Sequence, residues 1–146
     1  MYLARRMTLD DVEQVHSIEQ NTFSTPWSKE SLEKELTSNT QAIYMVLEEK
    51  NEILAYSGLW NIVSEGHITN IAVKKDKRGL GLGEKVTKAI LNEGNKLGIK
   101  SFTLEVRKSN IVAIRLYTKL GFTVAGIRKN FYDSPKEDAY IMWKLD

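Results

Sequence analysis

Apolar residues along this chain change their period several times, and each change marks an element. "YLARRM" reads as a short first strand that ends at Thr8, a residue suited to cap a helix. In "LDDVEQVHSIEQNTF", Val12, Val15, Ile18 and Glu19 fall on one helical face. "TPWS" breaks that pattern, and Ser28 opens a second helix, "SKESLEKELTS", with an incomplete capping-box spacing to Ser31. "AIYMVLEE" and "ILAYSGLWNIV" are β-rich runs separated by "KNE", a short hairpin turn, and "HITNIAV" is a further strand. Beyond a glycine cluster, Leu82, Val86, Ile90 and Leu97 keep helical spacing, and Gly98 supplies the stop. "SFTLEVR" alternates, with Phe102, Leu104 and Val106 on one face and Thr103, Glu105 and Arg107 on the other. Ala113, Leu116, Tyr117 and Leu120 then form a helical stripe ended by Gly121, and "FTVAGIR" and "AYIMWKL" close the chain as strands.

The predicted order is strand, two helices, three strands, helix, strand, helix, two strands. Consecutive hairpins favour an antiparallel front half, and the strand–helix–strand unit favours parallel pairing near the glycines. The expected class is α/β, with a mixed central sheet and helices on both faces.

Length and composition narrow the chemistry. A chain of 146 residues fits one domain spanning 1–146. A net charge of +2 gives no reason to expect direct nucleic-acid binding. The absence of cysteine excludes disulfides, thiolate metal ligands and a cysteine acyl-enzyme, and two distant histidines, His16 and His67, argue against a zinc site. No apolar run reaches the roughly 18 residues of a membrane span, and no signal-peptide pattern opens the chain. The expectation is a cytoplasmic protein without a metal, working as a monomer or weak dimer.

"KRGLGLGEK" places Gly79, Gly81 and Gly83 at alternate positions between a strand and a helix. The Walker pattern fails, because Gly83 is followed by Glu84 and Lys85; the dinucleotide fingerprint fails from Gly79 and from Gly81. What remains is either a flexible strand-to-helix turn or a loop whose free N–H groups and helix dipole face one anion. Lys77, Arg78 and Lys85 add positive charge to it.

"RGLGLG", Arg78 to Gly83, preceded by "NIAV", resembles the cofactor loop of the GNAT superfamily of N-acetyltransferases. "LEVRKSNIVAIRLYTKLGF" (Leu104 to Phe122), "PWS" (Pro26 to Ser28), "TNIAV" (Thr69 to Val73) and "GIRKNFYDSPKEDAYIMW" (Gly126 to Trp143) are similar to the bacterial ribosomal-protein-alanine N-acetyltransferases of the RimI family. The resemblance implies acetyl-CoA as acetyl donor. It puts Ile71, Ala72 and Val73 along the pantetheine arm, and Arg78, Gly79, Leu80, Gly81, Leu82, Gly83 and Glu84 around the pyrophosphate. It also implies that Asn110 contacts acetyl-CoA, although Asn110 is equally suited to cap its helix. Two departures stand out. The family's Tyr-Tyr pair is Phe131-Tyr132 here, and the loop from Tyr132 to Glu137 is compact.

Acetyl transfer to an amine needs a held thioester, a neutral amine and a proton donor for the leaving thiolate. An α-amine has a pKa of about 7.7–8.0 against about 10.4 for lysine, so a peptide N-terminus needs only modest base assistance. The resemblance makes Glu105 the base; read alone, it is also a strand charge able to pair with Arg107 or Lys108. Tyr117 is the implied acid, protonated at neutral pH; read alone, it is also a core aromatic on the stripe of Ala113, Leu116 and Leu120. Trp27 and Tyr132 are suited either to framing a peptide groove or to packing. Glu137 and Asp138 could attract the cationic amine or serve as surface charges, and His67 reads as surface polar. The expected activity is acetylation of the N-terminal alanine of a small-subunit ribosomal protein, with that protein's N-terminal peptide as partner. The alternatives are another amine (lysine, polyamine or drug) and a non-catalytic acyl-CoA-binding module.

Overall fold

A computed structural model describes residues 1–145. The first strand, β1 (Leu3–Arg6), leads through a tight turn to helices α1 (Val12–Thr22) and α2 (Lys29–Thr37). Then come β2 (Ala42–Glu49), β3 (Glu52–Ile62) and β4 (Glu65–Val73). Helix α3 (Leu82–Lys96), β5 (Ser101–Arg107), α4 (Ile111–Lys119), β6 (Thr123–Asp133) and β7 (Lys136–Leu145) complete the chain. The strands form one seven-stranded sheet in the order β1-β2-β3-β4-β5-β7-β6, antiparallel except for the β4–β5 pair. The element order and the mixed sheet match the sequence expectation.

Local chemistry explains the boundaries. Ser28 caps α2, its hydroxyl accepting from the Ser31 N–H at 3.1 Å. The β2–β3 and β3–β4 hairpins turn through Lys50-Asn51 and Val63-Ser64, all four at positive φ, as the twist of paired strands prefers. Gly98 and Gly121, also at positive φ, stop α3 and α4.

Period-2 alternation sorts the strands between two faces. Ile43, Met45, Leu59, Ile68, Phe102, Leu104 and Val106 pack with α3 and α4, whereas Tyr44, Val46, Tyr56 and Ala72 pack with α1 and α2. Phe102 is fully buried and wedged between two glycines. A Cβ on Gly66 would lie 2.6 Å from its ring, and one on Gly94 would lie 2.7 Å from it.

Three expectations need correction. Leu97 is 53% exposed, because α3 ends at Lys96 and the chain turns there toward Gly98. The last two strands are longer than expected, so Tyr132 to Glu137 is the tip of the β6–β7 hairpin. His67 lies inside β4, which begins at Glu65, rather than at the start of the strand; its side chain is 38% exposed, with Nε2 3.6 Å from Glu65 Oε1.

Candidate active site

The site begins where the sheet comes apart. β4 and β5 pair only at Glu65–Ser101, Gly66–Phe102 and His67–Thr103. Beyond that point β4 continues to Val73, held only by β3, and β5 continues to Arg107, held only by β7. An irregularity opposite Gly58 and Leu59, where β4 carries one residue more than β3, accompanies the divergence. Ile71, Ala72 and Val73 therefore lie on a strand edge that has no strand partner across the gap, with the Val73 carbonyl accepting from Arg78 Nε. Such an edge within a sheet matches an extended ligand that carries its own amides.

The glycine loop lies at the β4 end of this gap. Gly79 and Gly81 adopt φ of +81° and +79°, and an added Cβ at either would meet nothing within 4 Å. Their need for glycine is conformational. Gly81 is the N-cap of α3 and has no side chain to occupy the first N–H groups, which leaves a fifteen-residue helix with an open, electropositive end. Leu82 is buried under the loop and Leu80 is exposed on it. Arg78 Nε donates to the Val73 carbonyl and its Nη2 to Thr22 Oγ1. Glu84 is held by Lys119 at 2.8 Å and Lys88 at 2.9 Å, which lower its carboxyl to about 2 and tie α3 to α4.

Glu105 and Tyr117 approach the gap from opposite faces of the sheet. Glu105 lies on the face of α1 and α2, with Arg128 Nε 3.3 Å from its Oε2. Tyr117 belongs to the core beneath α4, 8% exposed, its ring centroid 5.9 Å from that of Phe122. Burial pushes its phenol well above the ordinary range, and the Tyr132 phenol adds to the effect. Burial also raises Tyr132, with Glu105 and Glu137 contributing and Arg107 opposing. The Arg107 guanidinium sits 4.2 Å from the Tyr132 ring centroid. Tyr132 thus lies within electrostatic reach of both Glu105 and Tyr117. Asn110 caps α4, its Oδ1 accepting from Ala113 N–H at 3.2 Å.

The other expected substrate residues have internal partners. Trp27 is half-buried in the α1–α2 loop, packed against the α1–α2 core. Glu137 accepts from Ser109 N–H at 2.7 Å and from Arg107 at 3.2 Å, and the Ser109 contacts chiefly hold its carboxyl low. Asp138 accepts from Asn130 N–H at 2.8 Å and braces the β6 bulge.

Sequence reasoning placed Glu19 on the buried face of α1 but gave it no task. It is 1% exposed and accepts from Trp27 N–H at 3.0 Å, Asn70 Nδ2 at 3.3 Å and the Tyr56 hydroxyl. Burial raises its carboxyl, offset in part by the Trp27 and Asn70 donors. A carboxylate on an apolar helical stripe was the available signal. Arg128 escaped because only the β5–β7–β6 strand order brings it to Glu105.

A cleft of about 720 Å³ lies toward the C-terminal end of α3, between Lys88, Asn95, Lys100 and Leu120, and contains none of the expected site residues. Among the described residues, no group of three or more His, Asp or Glu side chains is placed to hold a metal ion, and no helix is long and apolar enough to cross a membrane.

Known proteins resemble this chain in sequence and fold. Residues 12–122 match the model of the acetyltransferase (GNAT) family. A Bacillus subtilis (strain 168) protein provisionally named [ribosomal protein bS18]-alanine N-acetyltransferase is 40% identical over 139 residues, covering 95% of this chain and 92% of that one. The Escherichia coli (strain K12) [ribosomal protein bS18]-alanine N-acetyltransferase is 36% identical over 136 residues, covering 90% of this chain and 89% of that one. The crystal structure of the ribosomal-protein-S18-alanine N-acetyltransferase from Escherichia coli superposes with a TM-score of 0.90, at 31% identity over 99% of this chain and 94% of that one. A Thermoplasma acidophilum N-acetyltransferase in complex with coenzyme A shares the fold, with a TM-score of 0.82 at 18% identity over 100% of this chain and 99% of that one. On the extent of these matches, the chain belongs to the acetyltransferase (GNAT) family.

Proposed function

We propose that this N-acetyltransferase moves the acetyl group of acetyl-CoA onto the α-amine of a peptide beginning with alanine, the N-terminus of a small-subunit ribosomal protein. The observation that carries the reading is the gap between β4 and β5, with Glu105 on one side, Tyr117 on the other and the open end of α3 beside it. The names of the Bacillus and Escherichia relatives support the choice of amine.

The residues fit the donor. Backbone groups of Ile71, Ala72 and Val73 would pair with the amides of its arm, and the N–H groups from Gly79 to Glu84 would take the pyrophosphate. Asn110 would reach it through Nδ2 while Oδ1 caps α4. Acetyl-CoA, when bound, supplies an acetyl carbon activated as a thioester.

The chain's own residues then move protons. Glu105 takes a proton from the attacking amine, directly or through one water, as the new nitrogen–carbon bond forms. Tyr117 Oη gives its proton to the sulfur as the carbon–sulfur bond breaks. A phenol held protonated by burial is a fitting donor at neutral pH. Trp27 and Tyr132 would border the peptide. Because Glu137 and Asp138 are engaged by Ser109, Arg107 and Asn130, their charge would act on the substrate only at a distance.

Mass spectrometry tests the choice of amine. The chain is offered acetyl-CoA with a free-alanine peptide, the same peptide N-terminally blocked but carrying lysine, and a polyamine. Acetate should appear on the first residue of the free-alanine peptide alone. Preferential labelling of lysine or polyamine would overturn the choice of substrate, and no product at all would reduce the chain to a binding module.

A further inference from the structure

A second, smaller cleft lies on the face that carries Glu105. Trp27, Ser31, Lys34, Glu35 and Trp60 line a space of about 300 Å³ between α2 and β3, at the small end of the range for ligand pockets. Trp27 and Trp60 form walls, and Glu35 is the carboxylate of the lining. Glu35 Oε1 accepts from Trp60 Nε1 at 2.6 Å and from the Tyr44 hydroxyl at 2.8 Å, and Oε2 accepts from Asn39 Nδ2 at 3.1 Å. All three donors are neutral. Lys34, at the mouth, pairs with Glu30 at 3.2 Å instead. The result is a carboxylate in the lining of the cleft, bonded to Trp60 and Tyr44 and, among the described residues, to no cation.

That combination selects for a cation. A lysine or arginine head is attracted by an aromatic face and by a carboxylate together, more strongly as water is excluded. Register gives the distance to the chemistry. Trp60 pairs with His67, and His67 with Thr103, two residues before Glu105 on the same face. Two strand spacings and two residues of rise put the Trp60 backbone at least about 12 Å from that of Glu105, because β5 parts from β4 beyond Thr103. An extended peptide with its α-amine at Glu105 covers that distance in about three to four residues, fewer when a long side chain completes the reach.

We infer that the Trp27–Trp60–Glu35 cleft is a subsite for a cationic side chain, lysine or arginine, at the second to fourth position of the substrate peptide. The inference rests on the N-terminal acetylation proposed above.

The test compares peptides beginning with free alanine that carry one lysine or arginine, or neutral norleucine, at positions two, three or four. The cation should lower KM by about 3- to 30-fold at its best position, the range of a cation–aromatic contact, with kcat little changed. Glu35→Gln should raise the KM of the cationic peptide to that of the neutral one. Lys34→Gln, which removes a competing cation from the mouth, should widen the preference and provides a second variant should Glu35→Gln fold poorly. Equal KM values for cationic and neutral peptides, with acetylation intact, would overturn the subsite. If no α-amine is acetylated, N-terminally blocked versions of the same peptides titrated against tryptophan fluorescence decide it. Quenching by the cationic peptide that Glu35→Gln abolishes supports the cleft, and identical curves for both peptides overturn it.

Discussion

The backbone N–H of Trp27 donates to the side chain of Glu19 at 3.0 Å, so a buried carboxylate of α1 holds the loop that borders the proposed peptide groove. The other oxygen of the same group receives Tyr56 from β3 and Asn70 from β4. One residue therefore ties a loop, a helix and the edge of the gap. In Glu19→Gln, the amide can accept through one oxygen only, and its NH₂ would face the donors left behind. The expected result is a loss of about 1–3 kcal/mol in denaturant unfolding, the cost of an unsatisfied buried group. Peptide KM should rise while acetyl-CoA binding and kcat stay near the original values. An unchanged KM would leave Glu19 as packing only.

The same residue predicts a pH effect. Burial puts the folded carboxyl of Glu19 above its unfolded value of 4.5. Its stabilising contribution is therefore fully present below that unfolded value and lost as pH rises through the higher folded one. Glu84, lowered to about 2, has the opposite sign and loses its contribution as pH falls. Comparing wild type with Glu19→Gln removes such common effects. The difference in unfolding free energy should move in favour of wild type as pH drops from 8 toward about 4.5, the ordinary carboxylate range. A flat difference would mean that Glu19 titrates as it does in the unfolded chain.

Catalysis should depend on Glu105 and Tyr117 separately. Glu105→Gln and Tyr117→Phe keep the side-chain shape, and each should lower kcat by roughly 10²–10⁴-fold, the usual range for proton-transfer groups. Acetyl-CoA should still raise the melting temperature of both variants. The Glu105→Gln defect should shrink at high pH, where the amine sheds its proton unaided. Near-normal turnover in both would return the two residues to strand surface and core.

The loop glycines should divide into two kinds. Gly81 sits at φ +79°, so Gly81→Ala forces a left-handed alanine at about 1–2 kcal/mol and should lower the melting point. A Cβ at Gly83 would lie 3.5 Å from Leu116, an ordinary contact, so Gly83→Ala should fold normally. Its added methyl should nevertheless weaken the thermal shift given by acetyl-CoA. A full shift in Gly83→Ala and in the bulkier Gly83→Val would remove the loop from the cofactor site.

Val63 offers a stabilising change. It is exposed and sits at φ +52° in the β3–β4 turn, a conformation that strains a β-branched residue. Val63→Asn should raise the unfolding free energy by up to about 1 kcal/mol, since asparagine tolerates that region. Equal or lower stability would show that the turn relaxes around valine.

Short-range signals carried most of the fold. The alternation of Phe102, Leu104 and Val106 against Thr103, Glu105 and Arg107 predicted both faces of β5, and the stripe of Val12, Val15, Ile18 and Glu19 predicted the buried side of α1. Leu97 failed because periodicity does not register where a helix ends, and left-handed Gly98 lies one residue beyond it. The site was legible as a loop motif and a strand motif, but not as a gap. Nothing in "HITNIAV" or "SFTLEVR" says that their pairing stops after three residues. The Glu35–Trp60 contact joins residues 25 apart, and Arg128 meets Glu105 only because β7 lies between β5 and β6. Such contacts depend on strand order, which local periodicity does not encode.

The parting of β4 from β5 also has a mechanical side. The two halves of the sheet meet at three residue pairs, like jaws on one short hinge, and the Phe102 ring is the pin, seated where Gly66 and Gly94 leave no room for a methyl group. Ile43, Leu59 and Ile68 from one half share a core cluster with Leu104, Val106 and Met142 from the other, so one body of packing spans both jaws. A long, thin molecule entering between them would meet strands that have already parted. Its binding energy can then go into contacts rather than into prising the sheet apart.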